Sequence, residues 1–342
     1  MSKNSVLILF LATIATFTMA LVHLFQKTKG QHEDRVQAIT VVVHAPSSFI
    51  DPYGPGAEIK ALFEKSCDCT VQYVDVGSAN MAIERLRMDP TRRADVLLGL
   101  DLLRLPRAIQ TVKLQTLKRP TIPWRKEINP FVYQKFLPYD WSPMGLIYRK
   151  SETQPFSTWK EGLLKLPPRS LALQDPILSS PGLEFVFWLY NLSPSLGDTL
   201  KSLKPLVHSY SPSWSEAYGL FKKKQARVAF SYLTSLLYHW REEHNEDYQF
   251  MVFPDGHPVQ IEYAAVPDSC WSCEPGKRFL EFLLTPQAQE ILANKNYMLS
   301  VRSDVTPALS ERLPDVNVLG PQRLDEFLSK EAELLQIWKA AH

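Results

Sequence analysis

Ala38-Ile39-Thr40-Val41-Val42-Val43-His44 is a run of apolar and β-branched residues and reads as a buried strand. Val71 to Val76 and Ala94 to Leu100 read the same way. Between them lie two stretches with helical spacing. Ala57 to Ser66 carries Ile59, Leu62 and Phe63, and Asn80 to Met88 carries Met81, Ile83 and Leu86. Pro52, Gly54, Pro55 and Gly56 punctuate the loop before the first of these. This strand–helix–strand–helix–strand order predicts a parallel sheet with helices on both faces. The pattern repeats more loosely downstream. Gly145 to Tyr148, Leu171 to Gln174, Arg227 to Tyr232, Gln249 to Phe253 and Val259 to Val266 read as strands. Gly182 to Tyr190, Trp214 to Lys223, Lys277 to Leu284 and Pro286 to Ala293 read as helices, and Leu324 to Ala341 as one final amphipathic helix. Two α/β lobes joined by crossing strands is the economical fold. Ligands of such sheets bind beyond the carboxyl ends of the strands, here in the cleft between lobes. Hinge closure is the motion that follows.

The 342 residues, 45% of them hydrophobic, are ample for a packed core and exceed one usual domain length. The division expected is 37–140 for a first lobe, completed by about 255–320, then 141–254 for a second lobe and 321–342 for the C-terminal helix. The net charge is +2, and Lys3, Lys27 and Lys29 are the charged residues of the first 30 positions. The body is therefore close to neutral, which argues against nucleic acid as a partner. Lys222-Lys223-Lys224 reads as a solvated helix end. Ser5 to Val22 carries no charge, so residues 1–25 read as a cleaved signal peptide or as a retained anchor over 5–25. Either places the body outside the cytoplasm. The polar stretch 26–36 reads as a linker.

The four cysteines form two close pairs, Cys67-Asp68-Cys69 and Cys270-Trp271-Ser272-Cys273. In an oxidising compartment close pairs tend to be disulfides. A redox role for the second pair and a shared zinc site remain alternatives at this point. His239, His244 and His257 lack a metal-ligand spacing and read as surface or loop histidines. No Gly-x-Ser-x-Gly or His-Glu-x-x-His occurs, and no catalytic constellation is legible, so the chain reads as a non-enzyme without a cofactor or metal. The most suggestive chemistry is aromatic. Trp214-Ser215-Glu216-Ala217-Tyr218-Gly219-Leu220-Phe221 is followed by Ser231-Tyr232 and Tyr238. Such a cluster suits a flat or cationic ring. Each residue also has a plain reading: core packing for Trp214 and Tyr218, an internal hydrogen bond for Tyr232, and a helix cap for Ser179.

From about Thr40 to about Thr306 the chain resembles the thiamine-binding proteins that serve bacterial ATP-driven importers, a group of periplasmic solute-binding proteins. The landmarks begin with Tyr53-Gly54-Pro55-Gly56, Cys67-Asp68-Cys69, Arg85-Leu86-Arg87-Met88 and Ala94-Asp95-Val96-Leu97-Leu98-Gly99-Leu100-Asp101. Gln174-Asp175-Pro176, Ser179-Ser180-Pro181-Gly182-Leu183, Trp214 to Phe221, Ser231-Tyr232 and Gly256-His257 complete them. Each is short, and their order and spacing carry the resemblance. It implies a two-lobed binding-protein fold with a hinge and an interlobe cleft. It further implies a monomeric, periplasmic receptor, a thiamine-like small-molecule ligand, and an inner-membrane ABC permease as partner. Trp214, Tyr232 and Tyr238 stand where the family surrounds its ligand. Tyr297, in Asn296-Tyr297-Met298, stands where the family has Asn-Trp-Met. Ser179-Ser180 matches a turn that leads a helix and suits an anion. Two positions depart. Pro46-Ser47-Ser48-Phe49 replaces a Tyr-Asp-Ser-Phe motif, and Ser78-Ala79 replaces Asp-Gly. Ser47 and Ser78 are the candidates there, with Asp51, Asp75 and Asp101 as possible sources of the missing charge. Other readings are a receptor of this fold for ferric iron or an organophosphate, or an anchored sensor or adaptor that has lost its ligand. The absence of adjacent tyrosines counts against iron.

Overall fold

In chain order the computed structural model gives β1 (Ile39–Ala45), α1 (Ser47–Ile50), α2 (Gly56–Ser66), β2 (Cys69–Asp75), α3 (Met81–Met88), β3 (Val96–Asp101) and α4 (Leu105–Thr111). Then follow β4 (Leu137–Arg149), α5 (Trp159–Leu164), β5 (Leu171–Gln174), α6 (Ser180–Leu192), α7 (Leu196–Leu203) and β6 (Val207–Ser211). Next are α8 (Trp214–Lys222), β7 (Val228–Tyr232), α9 (Ser235–Arg241), β8 (Tyr248–Phe250) and β9 (Val259–Ala265). Last are α10 (Cys273–Leu283), α11 (Pro286–Lys295), β10 (Leu299–Ser300), α12 (Leu324–Ser329) and α13 (Glu331–Ala341). The structure describes residues 39–77, 81–153 and 155–341, and Thr40–His342 forms one unit. The leader expected over 1–25 and the linker expected over 26–36 lie outside the described residues.

The strands run β2-β1-β3-β9-β4-β7-β5-β6, a curled path with β8 and β10 beside β4. The sheet is mixed rather than purely parallel. β1 pairs with β3 in parallel, but β9 runs antiparallel to both β3 and β4. β4 is the seam. Its first half, Leu137 to Pro143, pairs with β9, while Met144 to Tyr148 pairs with β7. All thirteen of its residues are buried. Sequence patterning exposes only Gly145 to Tyr148 of this strand. Pro138 and Pro143 argue against a strand, and burial on both faces removes the alternation that marks one.

The second lobe packs on Trp188 of α6, which stacks on Phe230 at 5.7 Å and on His257 at 5.9 Å. Gly182 lets α6 lie across the end of β5, since a Cβ there would sit 2.6 Å from the Gln174 carbonyl oxygen. In the first lobe Phe63 of α2 meets Phe279 of α10 edge-on at 5.0 Å. The C-terminal helix is broken at Lys330 into α12 and α13. The Ser329 hydroxyl donates back to the Glu326 carbonyl at 2.8 Å, a local bond that competes with helix continuation. Both cysteine pairs are disulfides, Cys67–Cys69 and Cys270–Cys273.

Candidate functional site

Ser213 caps α8 by accepting from the Glu216 amide at 3.3 Å, which makes Trp214 the first residue of the helix. Trp214 and Tyr218 are four apart, so they share a helix face, and their rings stack at 4.9 Å. The Trp214 indole donates to Ser231 Oγ on β7 at 2.9 Å. Tyr232, at the end of β7, meets Trp214 edge-on at 5.7 Å. Tyr238 projects from α9 and is 37% exposed. Tyr297, just past α11 in the first lobe, meets the Tyr238 ring edge-on at 5.4 Å. Its φ is +51°, a left-handed conformation that an aromatic residue rarely adopts. Its hydroxyl donates to Glu242 at 2.7 Å, and the Arg241 guanidinium lies 5.2 Å from its ring centre. These four aromatics border one cleft of about 530 Å³, with Ser48, Thr234, Glu262 and Met298 also in its lining.

Glu262 is the carboxyl in the lining of this cleft, and further acids are buried in the elements around it. Glu262, half-buried on β9, accepts from the Tyr139 hydroxyl at 2.6 Å. Burial raises its pKa and Asp101 adds to the rise, while the Tyr139 bond opposes it. Asp140 on β4 is buried and accepts from Asn296 at 2.7 Å. Burial pushes it well above the carboxylate range, and Glu262 pushes it further. Glu184 of α6 is buried with neither carboxyl oxygen hydrogen-bonded, and burial holds it well above its usual range. The same burial raises the Tyr232 hydroxyl, with Glu262 its leading charged neighbour. Sequence reasoning missed Glu262, Asp140 and Glu184. The available signal was a lone acid inside an apolar run, as in Val259-Gln260-Ile261-Glu262-Tyr263-Ala264-Ala265.

The structure brings Trp214, Tyr232, Tyr238 and Tyr297 to one cleft, but it places Ser47, Ser179 and Ser180 elsewhere. Ser47, the first residue of α1, donates to Asp75 at 2.8 Å, and its neighbour Ser48 lines the cleft instead. Ser78 lies outside the described residues. Ser179 and Ser180 line a second recess of about 240 Å³ with Arg104 and Arg107. Ser180 donates to Asp101 there. Ser179 starts α6 without a side-chain capping bond. Neither Asp51 nor Asp75 lines the cleft. The histidine reading needs correction at two of three positions. His239 is buried, 2.7 Å from the Tyr218 hydroxyl and 2.6 Å from Glu243. His257 is buried too and accepts from the Phe253 amide at 2.9 Å. Its burial lowers the pKa to about 4, so the ring is neutral. Apolar neighbours concealed both, because a satisfied core histidine leaves no spacing signature. His244 is exposed.

Two lobes sharing a buried strand, with an aromatic-walled cleft between elements of both, define a solute-binding architecture. Residues 41–297 match the family of bacterial extracellular solute-binding proteins, and the chain belongs to that family. It is 30% identical over 282 residues to the thiamine-binding periplasmic protein of Brucella suis, across 80% of this chain and 84% of that one. With the thiamine-binding periplasmic protein of Salmonella typhimurium the identity is 31% over 294 residues, across 80% and 84%. A solved periplasmic thiamin binding protein superposes with a TM-score of 0.76 at 27% identity, covering 88% of this chain and 96% of that one. The ferric binding protein from Campylobacter jejuni shares the fold at a TM-score of 0.71 and 15% identity, with 88% and 99% covered.

Proposed function

We propose that the chain is the periplasmic receptor of an ATP-driven importer and holds thiamine, a thiamine phosphate or a similar small heterocycle in the aromatic cleft. The observation that carries this reading is the convergence of Trp214, Tyr232, Tyr238 and Tyr297 on one cleft of about 530 Å³, a volume suited to a small ligand. Aromatic faces attract a cationic ring, and a nearby carboxyl adds to the attraction. The names of the relatives at about 30% identity support the same ligand class. Closure of the lobes around the ligand presents both to a membrane permease, the partner this reading requires. Among the described residues no helix is long and apolar enough to cross a membrane, and the apolar stretch 5–25 lies outside them.

The test is calorimetry on the full-length protein, unfolded and refolded to remove carried ligand, against thiamine and thiamine monophosphate. Sub-micromolar binding of either is expected. Trp214→Ala is expected to weaken it at least about tenfold, the scale of one lost stacking contact, with folding retained. No binding by the wild type sinks the thiamine reading and leaves another solute or a ligand-free adaptor. Unchanged affinity in Trp214→Ala removes that residue from the site.

A further inference from the structure

Three carboxyls stand in one row across the middle of the sheet. Asp101 on β3 and Asp140 on β4 are each in register with Glu262 on the intervening strand β9. Residues in register on neighbouring strands share a face, and like charges directly opposite one another destabilise a sheet. Among the described residues, no lysine or arginine forms an ion pair with Glu262 or Asp140. The two lysines that border the cleft are committed elsewhere: Lys222 pairs with Glu243 at 2.5 Å and Lys295 with Glu58 at 3.2 Å. Asp140 keeps its Oδ1 buried without a donor, and Glu184, facing Asp101 from α6, keeps both oxygens so. Glu262 and Asp140 thus stand without a paired cation, and buried carboxyls perturbed in this way cluster where function needs them.

Glu262 is the member of the row that reaches the cleft lining, beneath the aromatic walls. We propose that Glu262, backed by Asp140, is the residue that makes the cleft selective for a ring bearing a fixed positive charge, serving as its counter-ion. The inference rests on reading the aromatic cleft as the ligand site. A carboxyl set in an aromatic lining suits an organic cation with a flat ring. A quaternary ring nitrogen spreads its charge over a flat surface, so its faces meet Trp214, Tyr232 and Tyr238 while its edge meets the carboxylate. A neutral ring of the same shape gains the stacking but leaves the carboxyl row without a counter-charge.

The experiment compares thiamine with its thiophene isostere, in which carbon replaces the quaternary nitrogen, on full-length wild type and Glu262→Gln. The glutamine oxygen keeps an acceptor for the Tyr139 hydroxyl. Wild type is expected to prefer thiamine at least about tenfold, the scale of one charge-assisted contact. Glu262→Gln is expected to lose most of that preference, with affinity for the neutral isostere changed less than about threefold. A variant that keeps the preference overturns the assignment. A second readout needs no ligand. Removing one acid of the buried row is expected to raise the melting temperature of the empty protein at pH 8, whereas removing a merely structural glutamate lowers it. An unchanged or lowered value overturns the counter-ion role. If neither probe binds wild type, the thiamine reading fails, and a higher melting temperature of the empty variant then shows that the row lacks a counter-charge without ligand, as the counter-ion role requires.

Discussion

Glu184 of α6 carries its carboxyl into the core, 1% exposed and without a hydrogen-bond partner for either oxygen. A polar group buried unpaired costs about 1–3 kcal/mol by mutational measures. Glu184→Leu is therefore expected to stabilise the empty protein by that order. The pH dependence gives the effect a signature. The raised pKa of this acid means that the native state favours its protonated form. Its contribution is fully present below the ordinary carboxylate pKa of about 4.3 and is lost as pH rises through the raised native value. The gain from Glu184→Leu should be largest near pH 8 and small near pH 4.5. Thermal melts of both proteins at each pH decide the matter, and a lower melting temperature at pH 8 for the variant defeats it. Variant and wild type must be compared at the same pH because His257 pulls the other way. Its pKa is lowered to about 4, so its contribution is present above about 6.5 and fades as pH falls toward 4. At this scale the sequence disclosed the aromatic walls, because Trp214, Tyr232 and Tyr238 fall within one short stretch. It concealed the carboxyl row, whose members are 39 or more positions apart and meet only through strand register.

Among the elements, the junction of β1, β3 and α10 is held by a single carboxylate. Asp95, fully buried just before β3, accepts from the Val42 amide at 2.9 Å and from the Trp271 and Ser272 amides at 2.8 Å each. Arg93 adds an ion pair at 3.2 Å. The Cys270–Cys273 disulfide ties the same loop but closes a sequence separation of only 3. On the chain-entropy account so short a loop is worth about 2 kcal/mol. Asp95→Ala strands three amides and should cost more, about 3–5 kcal/mol. Urea unfolding of Asp95→Ala beside the double variant Cys270→Ala and Cys273→Ala ranks the two. A larger loss in the cysteine variant contradicts the assignment of Asp95 as the main clamp. Legibility at this scale followed amphipathicity. Helices such as α8 and strands with clear flanking turns could be read, while β4 could not. A fully buried strand interrupted by two prolines offers neither alternation nor an uninterrupted run.

The whole molecule turns on how two lobes meet. The alternation of strands and helices announced both lobes, but nothing in the chain's local pattern announced the contacts that bridge them. Two bridges stand out. Arg104, in the turn after β3, pairs with Glu331 of α13 at 2.6 Å and donates to the Pro176 carbonyl at 3.3 Å. Tyr297 donates to Glu242 at 2.7 Å, and Arg241 donates to the Asn294 carbonyl at 3.3 Å. Both sets favour the engaged arrangement of the lobes. Partly exposed contacts of this kind contribute about 0.2–1 kcal/mol each. Removing one from each bridge should then shift the balance toward an open arrangement about two- to thirtyfold. Affinity falls by the fraction of competent protein lost, even though no ligand contact has changed. The double variant Glu242→Ala and Glu331→Ala suits the test, because neither glutamate lines the cleft. Small-angle scattering of the empty variant should give a larger radius of gyration than wild type. Saturating thiamine should bring the two together, and calorimetry should show thiamine bound more weakly, by up to about thirtyfold. If radius and affinity both match wild type, the bridges do not set the closure equilibrium, and control of that motion lies in the shared strand β4.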